Sequence, residues 1–146
     1  MHGTYNNFGV HFNYPEDWSL VDEETNQWPR RVSVQSPHSG FWELQAYPAQ
    51  FQPDDLAQQT LQAFSDEYEG VESEPVSEPI MDHMATGYDL DFFCLDLLVT
   101  CEVRSFRLGG QTILLICQAE SEEFELRRKV FEAITLSLFL DRISTD

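Results

Sequence analysis

The clearest alternation of hydrophobic and polar residues lies on both sides of Gly109-Gly110, within the segment Leu98 to Ala119. Paired glycines accept the positive φ angles of a two-residue turn, so the segment is predicted to form a β-hairpin. The second strand, Ile113 to Cys117, is apolar on both faces, which predicts a central position in a sheet that is covered on both sides. The turn also sets the register, which pairs Phe106 with Ile113, Arg104 with Leu115, Glu102 with Cys117, Ser105 with Leu114, Val103 with Ile116 and Cys101 with Gln118.

Alternation of the same kind predicts four more strands. They run from Phe8 to Tyr14, Arg31 to Ser36, Phe41 to Tyr47 and Met84 to Cys94. The segment Val21 to Arg30 is polar and contains Trp28-Pro29, so it is predicted to be a loop. The segment Val71 to Asp82 contains Pro75 and Pro79, and proline cannot donate to an interior ladder. It is therefore predicted to be an edge strand or an ordered loop.

Two segments have the period of an amphipathic helix. Pro53, Asp54 and Asp55 suit the first turn of a helix whose buried stripe comprises Leu56, Ala57, Thr60, Leu61, Phe64 and Tyr68. Ser121 is predicted to cap a second helix with the stripe Phe124, Phe131, Ile134 and Leu138. The resulting order, β-β-β-α-β-β-β-β-α, indicates an α+β fold in which helices pack on an antiparallel sheet.

Arg127 falls near the middle of the stripe of the second helix, where an apolar residue is expected. Two interpretations are open. Arg127 either pairs inside the protein with a carboxylate such as Glu102, or it lays its aliphatic stem on the apolar surface and extends its guanidinium into water.

The chain is strongly acidic. Its 146 residues, the size of one domain spanning 1–146, include 26 Asp and Glu but only 8 Lys and Arg, a formal net charge of −18. No Lys or Arg occurs between Val32 and Val103. Such a surface repels phosphate groups, which argues against nucleic acids and anionic membranes as partners. It is compatible with a basic protein partner, with divalent cations or with solubility alone.

Cys94, Cys101 and Cys117 all fall in predicted strands, and none belongs to a CxxC motif. They are typical of reduced, buried thiols, which are poor nucleophiles. The N-terminal segment lacks the basic stretch and apolar core of a signal peptide, and the longest apolar runs are too short to span a bilayer. These features predict a cytoplasmic protein.

The sequence contains no motif that is typical of catalysis. Its four histidines form neither an HExxH motif nor a helical metal-binding pair. Gly109-Gly110 is followed by a predicted strand rather than by a helix, which argues against a phosphate-binding loop. The sequence therefore predicts no enzymatic activity and no cofactor.

Carboxylates are grouped around the end of the first predicted helix, between Asp66 and Glu74. Glu67, Glu69 and Glu72 are candidate ligands for a hard cation such as calcium. His38, in a predicted turn, and His83, at a strand entrance, are further candidate ligands or bases. The alternative is that these residues form a solvated acidic rim and ordinary exposed histidines.

Trp18, Trp28 and Trp42 lie in or beside predicted loops, and Leu95 and Leu97 lie at a predicted turn. Tryptophan is enriched at binding hot spots, so these five residues are the predicted partner-binding site. The specific prediction is a surface groove lined by Trp28 and Trp42. The alternative is that the aromatic rings close the ends of the core.

The first predicted strand ends in Tyr14-Pro15-x-x-Trp18, and the late hairpin is followed by a terminal helix with Phe131, Ile134 and Ser137. In this order of elements, from Phe8 to Phe139, the chain resembles the Mog1/PsbP-like family, in particular its bacterial branch. The resemblance implies an α/β/α sandwich around a mainly antiparallel sheet of about six to seven strands. Members include a nuclear-import factor that binds a small GTPase, a photosystem II extrinsic protein and chaperones for type VI secretion effectors. The implied role is a binding or scaffold module without catalysis.

These observations together predict a non-catalytic, cytoplasmic protein-binding or chaperone-like module. Its expected partner is a protein, and the acidic surface favours a basic one. The alternative is a small-molecule or divalent-metal-binding protein that uses the acidic cluster, His38 or His83. A thermal-shift scan with calcium or zinc separates the two, because only a specific site gives stabilisation that saturates with concentration.

Overall fold

The computed structural model describes residues 2–23 and 26–143, with side chains described up to Leu140. Within these ranges the chain forms nine strands and two helices. In chain order they are β1 (His2–Asn7), β2 (Val10–Pro15), β3 (Ser19–Asp22), β4 (Arg30–Gln35), β5 (Phe41–Pro48), α1 (Pro53–Glu67), β6 (Glu72–Ile80), β7 (His83–Cys94), β8 (Leu97–Leu108), β9 (Gln111–Glu120) and α2 (Ser121–Ile143).

Seven strands form one antiparallel sheet in the order β3-β4-β5-β9-β8-β7-β6, while β1 and β2 form a separate hairpin. The predicted hairpin is confirmed, because β8 and β9 pair in the predicted register, with Phe106 opposite Ile113 and Arg104 opposite Leu115. The predicted central position of β9 is also confirmed, since it lies between β5 and β8 and is buried continuously from Thr112 to Cys117.

The sheet separates two hydrophobic layers. On one face, α2 and the β1–β2 hairpin cover a core that includes the predicted helix stripe Phe124, Phe131, Ile134 and Leu138. On the other face, α1 packs Leu56, Leu61, Phe64 and Tyr68 against residues such as Leu90 and Phe92. The fold is therefore an α+β protein with an α/β/α sandwich, in agreement with the sequence.

The N-terminal region differs from the prediction. Five strands precede α1 rather than three, because the hydrophobic pattern predicts neither β1 nor β3. The pattern places Phe8 in a strand, but this residue lies in the β1–β2 turn at φ +39°, next to Gly9 at φ +79°. The predicted loop is wrong at Val21 and Asp22, which belong to β3, and at Arg30, which begins β4. Two of its other positions, Glu24 and Thr25, lie outside the described residues.

The two edges of the sheet are unlike each other. β6 is an edge strand, which confirms one of the two interpretations of Val71 to Asp82, and it contains Pro75 and Pro79. β3, at the opposite edge, is only four residues long. Neither helix of the described chain is long and apolar enough to cross a membrane.

Candidate functional site

The structure separates the three tryptophans of the predicted binding surface. Trp42 is fully buried, and its Nε1 donates a hydrogen bond to Thr135 Oγ1 at 3.0 Å. Trp18 is only 6% exposed and packs edge-on against Phe131. The predicted groove lined by Trp28 and Trp42 is therefore wrong, because a buried ring cannot line a surface groove. The alternative, that the rings close the core, holds for Trp18 and Trp42.

Trp28 is the exposed member of the three, at 47%. Its ring lies 5.3 Å from Cζ of Arg30, which lies equally close to the ring of Phe8, at 5.3 Å. Two cation–π contacts through Arg30 thus connect the exposed indole to the β1–β2 turn.

The two predicted leucines belong to a larger apolar surface at the β7–β8 turn. Exposure there is 66% for Phe93, 92% for Leu95, 57% for Leu97 and 41% for Leu98. These four side chains, within six consecutive positions, are called the apolar tip below. Phe93 and Leu98 lie opposite each other on one face of the hairpin, whereas Leu97 pairs with Cys94 on the other face. The turn therefore exposes large apolar side chains on both faces, and such a concentration of exposed apolar residues is typical of an interaction site.

The backbone of the apolar tip is itself unusual. Leu95 and Asp96 form the turn with φ +50° and φ +67°, a conformation that turns of this kind normally give to glycine or asparagine. A left-handed residue with a Cβ costs about 1–2 kcal/mol. Leucine at such a position gains little from the fold, because its side chain is almost fully in water. Strain of this kind is found at functional sites.

Carboxylates border the apolar tip. Asp96 lies in the turn, and Asp91 Oδ1 accepts a hydrogen bond from Thr100 Oγ1 at 2.8 Å. The hydroxyls of Thr100 and Ser121 are also 2.8 Å apart, so α2 begins beside the hairpin and brings Glu122 to this end of the sheet. The tip therefore combines apolar contact area with a negative surround.

A second feature is a cavity of about 310 Å³ between α2 and strands β6 and β8. It is called the Arg104 cleft below. Its lining combines charged and apolar side chains, among them Glu78, Met81, Glu102, Arg104, Glu132 and Leu136. The cleft exists because α2 packs mainly over β2 and β9, which leaves the β6 side of the sheet partly uncovered.

Arg104 is the buried charge of this cleft, at 8% exposure. Its Nε donates to Glu78 Oε1 and its Nη2 to Asp89 Oδ1, both at 2.8 Å. Nη1 donates to the carbonyl oxygens of Val103 at 2.9 Å and Tyr88 at 3.3 Å. Burial lowers the pKa of Arg104, but the two carboxylates outweigh that effect and hold the pKa above its usual value. Arg104 is a satisfied cation.

Gly87 allows the strands to approach each other at this point. It lies opposite Arg104 in the β7–β8 register. A Cβ at position 87 would lie 1.7 Å from the carbonyl oxygen of Val103, the same oxygen that accepts from Arg104. Any larger residue would displace that carbonyl, so the absence of a side chain is required for the local geometry.

The cation that pairs with Glu102 is Arg128, and not Arg127 as one interpretation predicted. Arg128 Nη1 donates to Glu102 Oε2 at 2.8 Å, and Nη2 donates to Glu125 Oε1 at 2.7 Å. Arg127 is half-buried on the neighbouring position of the helix, which agrees with the snorkelling interpretation. Burial raises the pKa of Glu102 above its usual value of 4.5, although Arg104 and Arg128 act in the opposite direction.

The predicted metal ligands are not brought together. Across residues 2–23 and 26–143, no three His, Cys, Asp or Glu side chains are grouped closely enough to hold a metal ion. The structure therefore does not support a site formed by Glu67, Glu69 and Glu72, which are exposed. His83 packs against Phe139 with ring centroids 4.9 Å apart and ring planes tilted by 46°, and His38 is exposed in the turn after β4.

The three cysteines are free thiols; Cys101 and Cys117 are buried, as predicted, whereas Cys94 is half-buried. Burial raises the pKa of Cys101 and that of Cys117 well above the usual value of 9.0. Both thiols therefore stay protonated and unreactive at neutral pH.

Sequence reasoning missed Phe93, Leu98 and the Arg104 cleft. The sequence predicts the strand Met84 to Cys94 but not its pairing with the next strand, so it does not show that Phe93 and Leu98 lie opposite each other. For Arg104 a signal existed, because the predicted register placed this charged residue opposite Leu115 in the middle of the sheet. Its partners Glu78 and Asp89 come from other strands, whose register was not predicted.

The architecture defines the class of protein: the chain has the Mog1/PsbP-like fold. No protein-family model and no curated protein sequence matches the chain. Solved structures do match, and they do so over nearly the whole chain.

Three of these structures illustrate the range. Cyanobacterial PsbP (CyanoP) from Synechocystis sp. PCC 6803 has a TM-score of 0.67 and 12% identity, with 93% of this chain and 90% of that chain covered. The Ran-binding protein Mog1p from Saccharomyces cerevisiae has a TM-score of 0.53 and 8% identity, with 99% and 93% covered. The protein of unknown function PA94 from Pseudomonas aeruginosa has a TM-score of 0.55 and 9% identity, with 94% and 95% covered. At these identities the likeness shows the fold alone.

Proposed function

We propose that the protein is a non-catalytic, cytoplasmic protein-binding module that docks a basic partner on the apolar tip. A chaperone-like role is one form of this function. The observation that carries the proposal is the exposure of Phe93, Leu95, Leu97 and Leu98 around a turn whose backbone is unfavourable for leucine. Selection for stability alone favours asparagine or glycine at such a turn.

The charge of the protein supports a basic partner. Asp96 lies in the turn of the apolar tip, Asp91 lies two residues before Phe93, and Glu122 lies at the same end of the sheet, while the whole chain carries a formal net charge of −18. A complementary surface has an apolar centre for the leucines and Lys or Arg at its rim. The same charge disfavours nucleic acids and anionic membranes.

The comparisons give further support. Mog1p, which shares this fold, is a Ran-binding protein, so the architecture accommodates protein recognition in that case. Recognition by this chain is proposed from its own surface, because the sequence identity to Mog1p is only 8%.

The test is retention of partners from the native lysate on immobilised protein, eluted along a salt gradient. The double change Leu95→Ser and Leu97→Ser should lower the retention of the main partner at least tenfold. Each buried leucine contributes about 1.5–3 kcal/mol, and about 1.4 kcal/mol corresponds to a tenfold change. Both side chains are exposed, so the variant should fold normally.

Met84→Ser is the matched control, since Met84 lies on β7, the strand that leads to the tip, and is 63% exposed but lies at the opposite end of that strand. It should leave retention unchanged. The proposal fails if the double variant and the control retain the same proteins equally, or if wild-type protein captures none specifically.

A further inference from the structure

The Arg104 cleft is a cavity whose lining is chemically mixed. Leu115 and Phe131 form part of its interior, while Met81 and Leu136 lie at its opening, with 44% and 40% exposure. An occupant therefore meets apolar walls for some of its length. With a volume of about 310 Å³, the cavity is large enough for one long side chain or a molecule of similar size.

The charges of the cleft are unbalanced. With the ion-pair partners of the lining included, four carboxylates, from Glu78, Asp89, Glu102 and Glu132, stand against two guanidiniums, those of Arg104 and Arg128. Four N–H groups of Arg104 are already engaged, with Glu78, Asp89 and two backbone carbonyls. An anionic occupant would have to displace a carboxylate from Arg104 and would face the remaining carboxylates, which makes it unfavourable.

The carboxylates retain free acceptor capacity. Glu78 uses Oε1 for Arg104, and Glu102 uses Oε2 for Arg128. Within the described part of the chain, their second oxygens and those of Glu132 receive no hydrogen bond. Glu102 is also under-solvated, as its raised pKa indicates, so a further cation nearby would stabilise its ionised form.

We propose that the Arg104 cleft binds a lysine side chain of the protein partner, with its methylenes along Met81 and Leu136 and its ammonium paired with Glu132, an exposed carboxylate of the lining. An ammonium group has three N–H donors and no acceptor, which matches a site that offers carboxylate oxygens. The inference rests on the proposed function in one respect, namely that the lysine comes from a protein partner. The chemistry of the cleft is testable without that partner.

The experiment uses the full chain labelled with ¹³C at the methionine methyl groups. The chain has three methionines. Met81 lines the cleft, whereas Met84 lines a different surface, near Pro53 and Ser77 on the α1 side. The probe is Nα-acetyl-lysine amide, and the matched probe is Nα-acetyl-norleucine amide, which has the same backbone and a similar apolar chain but no ammonium.

The lysine probe should move the methyl signal of Met81 along a saturable curve and leave that of Met84 in place. The norleucine probe should produce less than a fifth of that shift at the same concentration. Glu132→Gln should weaken the apparent affinity for the lysine probe at least threefold. Glu132 is exposed on α2, so this variant should fold; Glu67→Gln, an exposed change on α1, should leave the affinity unchanged.

Four outcomes would overturn the inference. They are no saturable shift at Met81, equal shifts with both probes, equal shifts at Met81 and Met84, or a larger shift with inorganic phosphate than with lysine. These outcomes are independent of the retention experiment with the apolar tip. If the lysine titration fails but a partner is retained through the tip, the proposed function stands and the inference about the cleft fails. If the cleft binds lysine but no partner is retained, the cleft binds lysine as inferred and the proposed function fails.

Discussion

Arg104, on β8, forms ion pairs with Glu78 on β6 and with Asp89 on β7. Its side chain is only 10% exposed, while its partners Glu78 and Asp89 are 49% and 43% exposed. Breaking a buried ion pair is costly, but half-exposed carboxylates regain water when their partner is removed. The backbone carbonyls of Tyr88 and Val103, which accept hydrogen bonds from Nη1, do not regain water in this way when the guanidinium is removed.

Arg104→Gln should therefore lower the free energy of unfolding by about 2–3 kcal/mol, measured by urea denaturation. Arg104→Lys should restore less than half of the loss, because an ammonium cannot reproduce the planar geometry of four hydrogen bonds. Wild-type stability in the glutamine variant would mean that the ion pairs are energetically neutral.

At the scale of single residues, sequence reasoning succeeded where a local pattern determines the environment. The register places Arg104 opposite Leu115, and the helical period identifies an odd cationic position on the second helix. Arg127 and Arg128 are adjacent and about 100° apart around the helix axis, so the rotation of the helix about its own axis decides which one meets Glu102. The alternation along a strand shows which side chains share a face of the sheet. It does not show whether another layer of the protein covers that face, as α2 covers Trp42.

Among the secondary-structure elements, α2 is held to the sheet at its N-terminal turn by Glu123. The Glu123 carboxylate accepts hydrogen bonds from Ser36 Oγ at 2.8 Å and from the backbone N of Ser39 at 2.6 Å. Burial raises the pKa of Glu123, but the hydrogen bonds from Ser39 and Ser36 outweigh it, so the pKa lies below its usual value of 4.5. The helix start is thus fixed to the β4–β5 turn.

Glu123→Gln should lower the free energy of unfolding at neutral pH by about 1–2 kcal/mol. A carboxyl with a lowered folded-state pKa contributes stability above its unfolded pKa and loses it as the pH falls through the folded value. The difference between wild type and variant should therefore shrink below pH 4.5. Urea unfolding at several pH values measures it, with the exposed Glu122→Gln as the control; a difference that is independent of pH would contradict the assignment.

Elements were predictable where their own sequence carries a strong period. The β8–β9 hairpin, α1 and α2 meet this condition. β1 buries only Tyr5 and β3 has no fully buried side chain, so neither shows the alternation of a half-buried strand. β1 is held by backbone hydrogen bonds to β2, and β3 by backbone hydrogen bonds to β4. The hydrophobic pattern of a sequence does not show such backbone pairing.

For the molecule as a whole, the main electrostatic effect is self-repulsion. A formal net charge of −18 on one domain destabilises the compact state, and salt screens this repulsion. The apolar tip and the Arg104 cleft both belong to this negatively charged molecule. Salt should therefore stabilise the isolated protein while it weakens the charged part of partner binding.

Raising NaCl from about 0.02 M to about 0.5 M should increase Tm by several degrees, because about 1 kcal/mol corresponds to roughly 3–5 °C in a domain of this size. Differential scanning calorimetry measures the shift. The triple change of Glu67, Glu69 and Glu72 to glutamine removes three exposed negative charges, so it should reduce the salt response. An unchanged or lower Tm in salt would show that repulsion does not limit stability.

The two edge strands of the seven-stranded sheet, β6 and β3, determine whether a second copy of the chain can extend the sheet. A second copy that extended the ladder at β6 would meet two prolines, which have no N–H to offer, and the carboxylates of Glu72, Glu74 and Glu78. At β3 it would find only four residues to pair with. Both edges of the seven-stranded sheet are therefore poor templates for a growing cross-β fibre. A partner that meets this sheet has side chains to contact rather than a long free strand to extend.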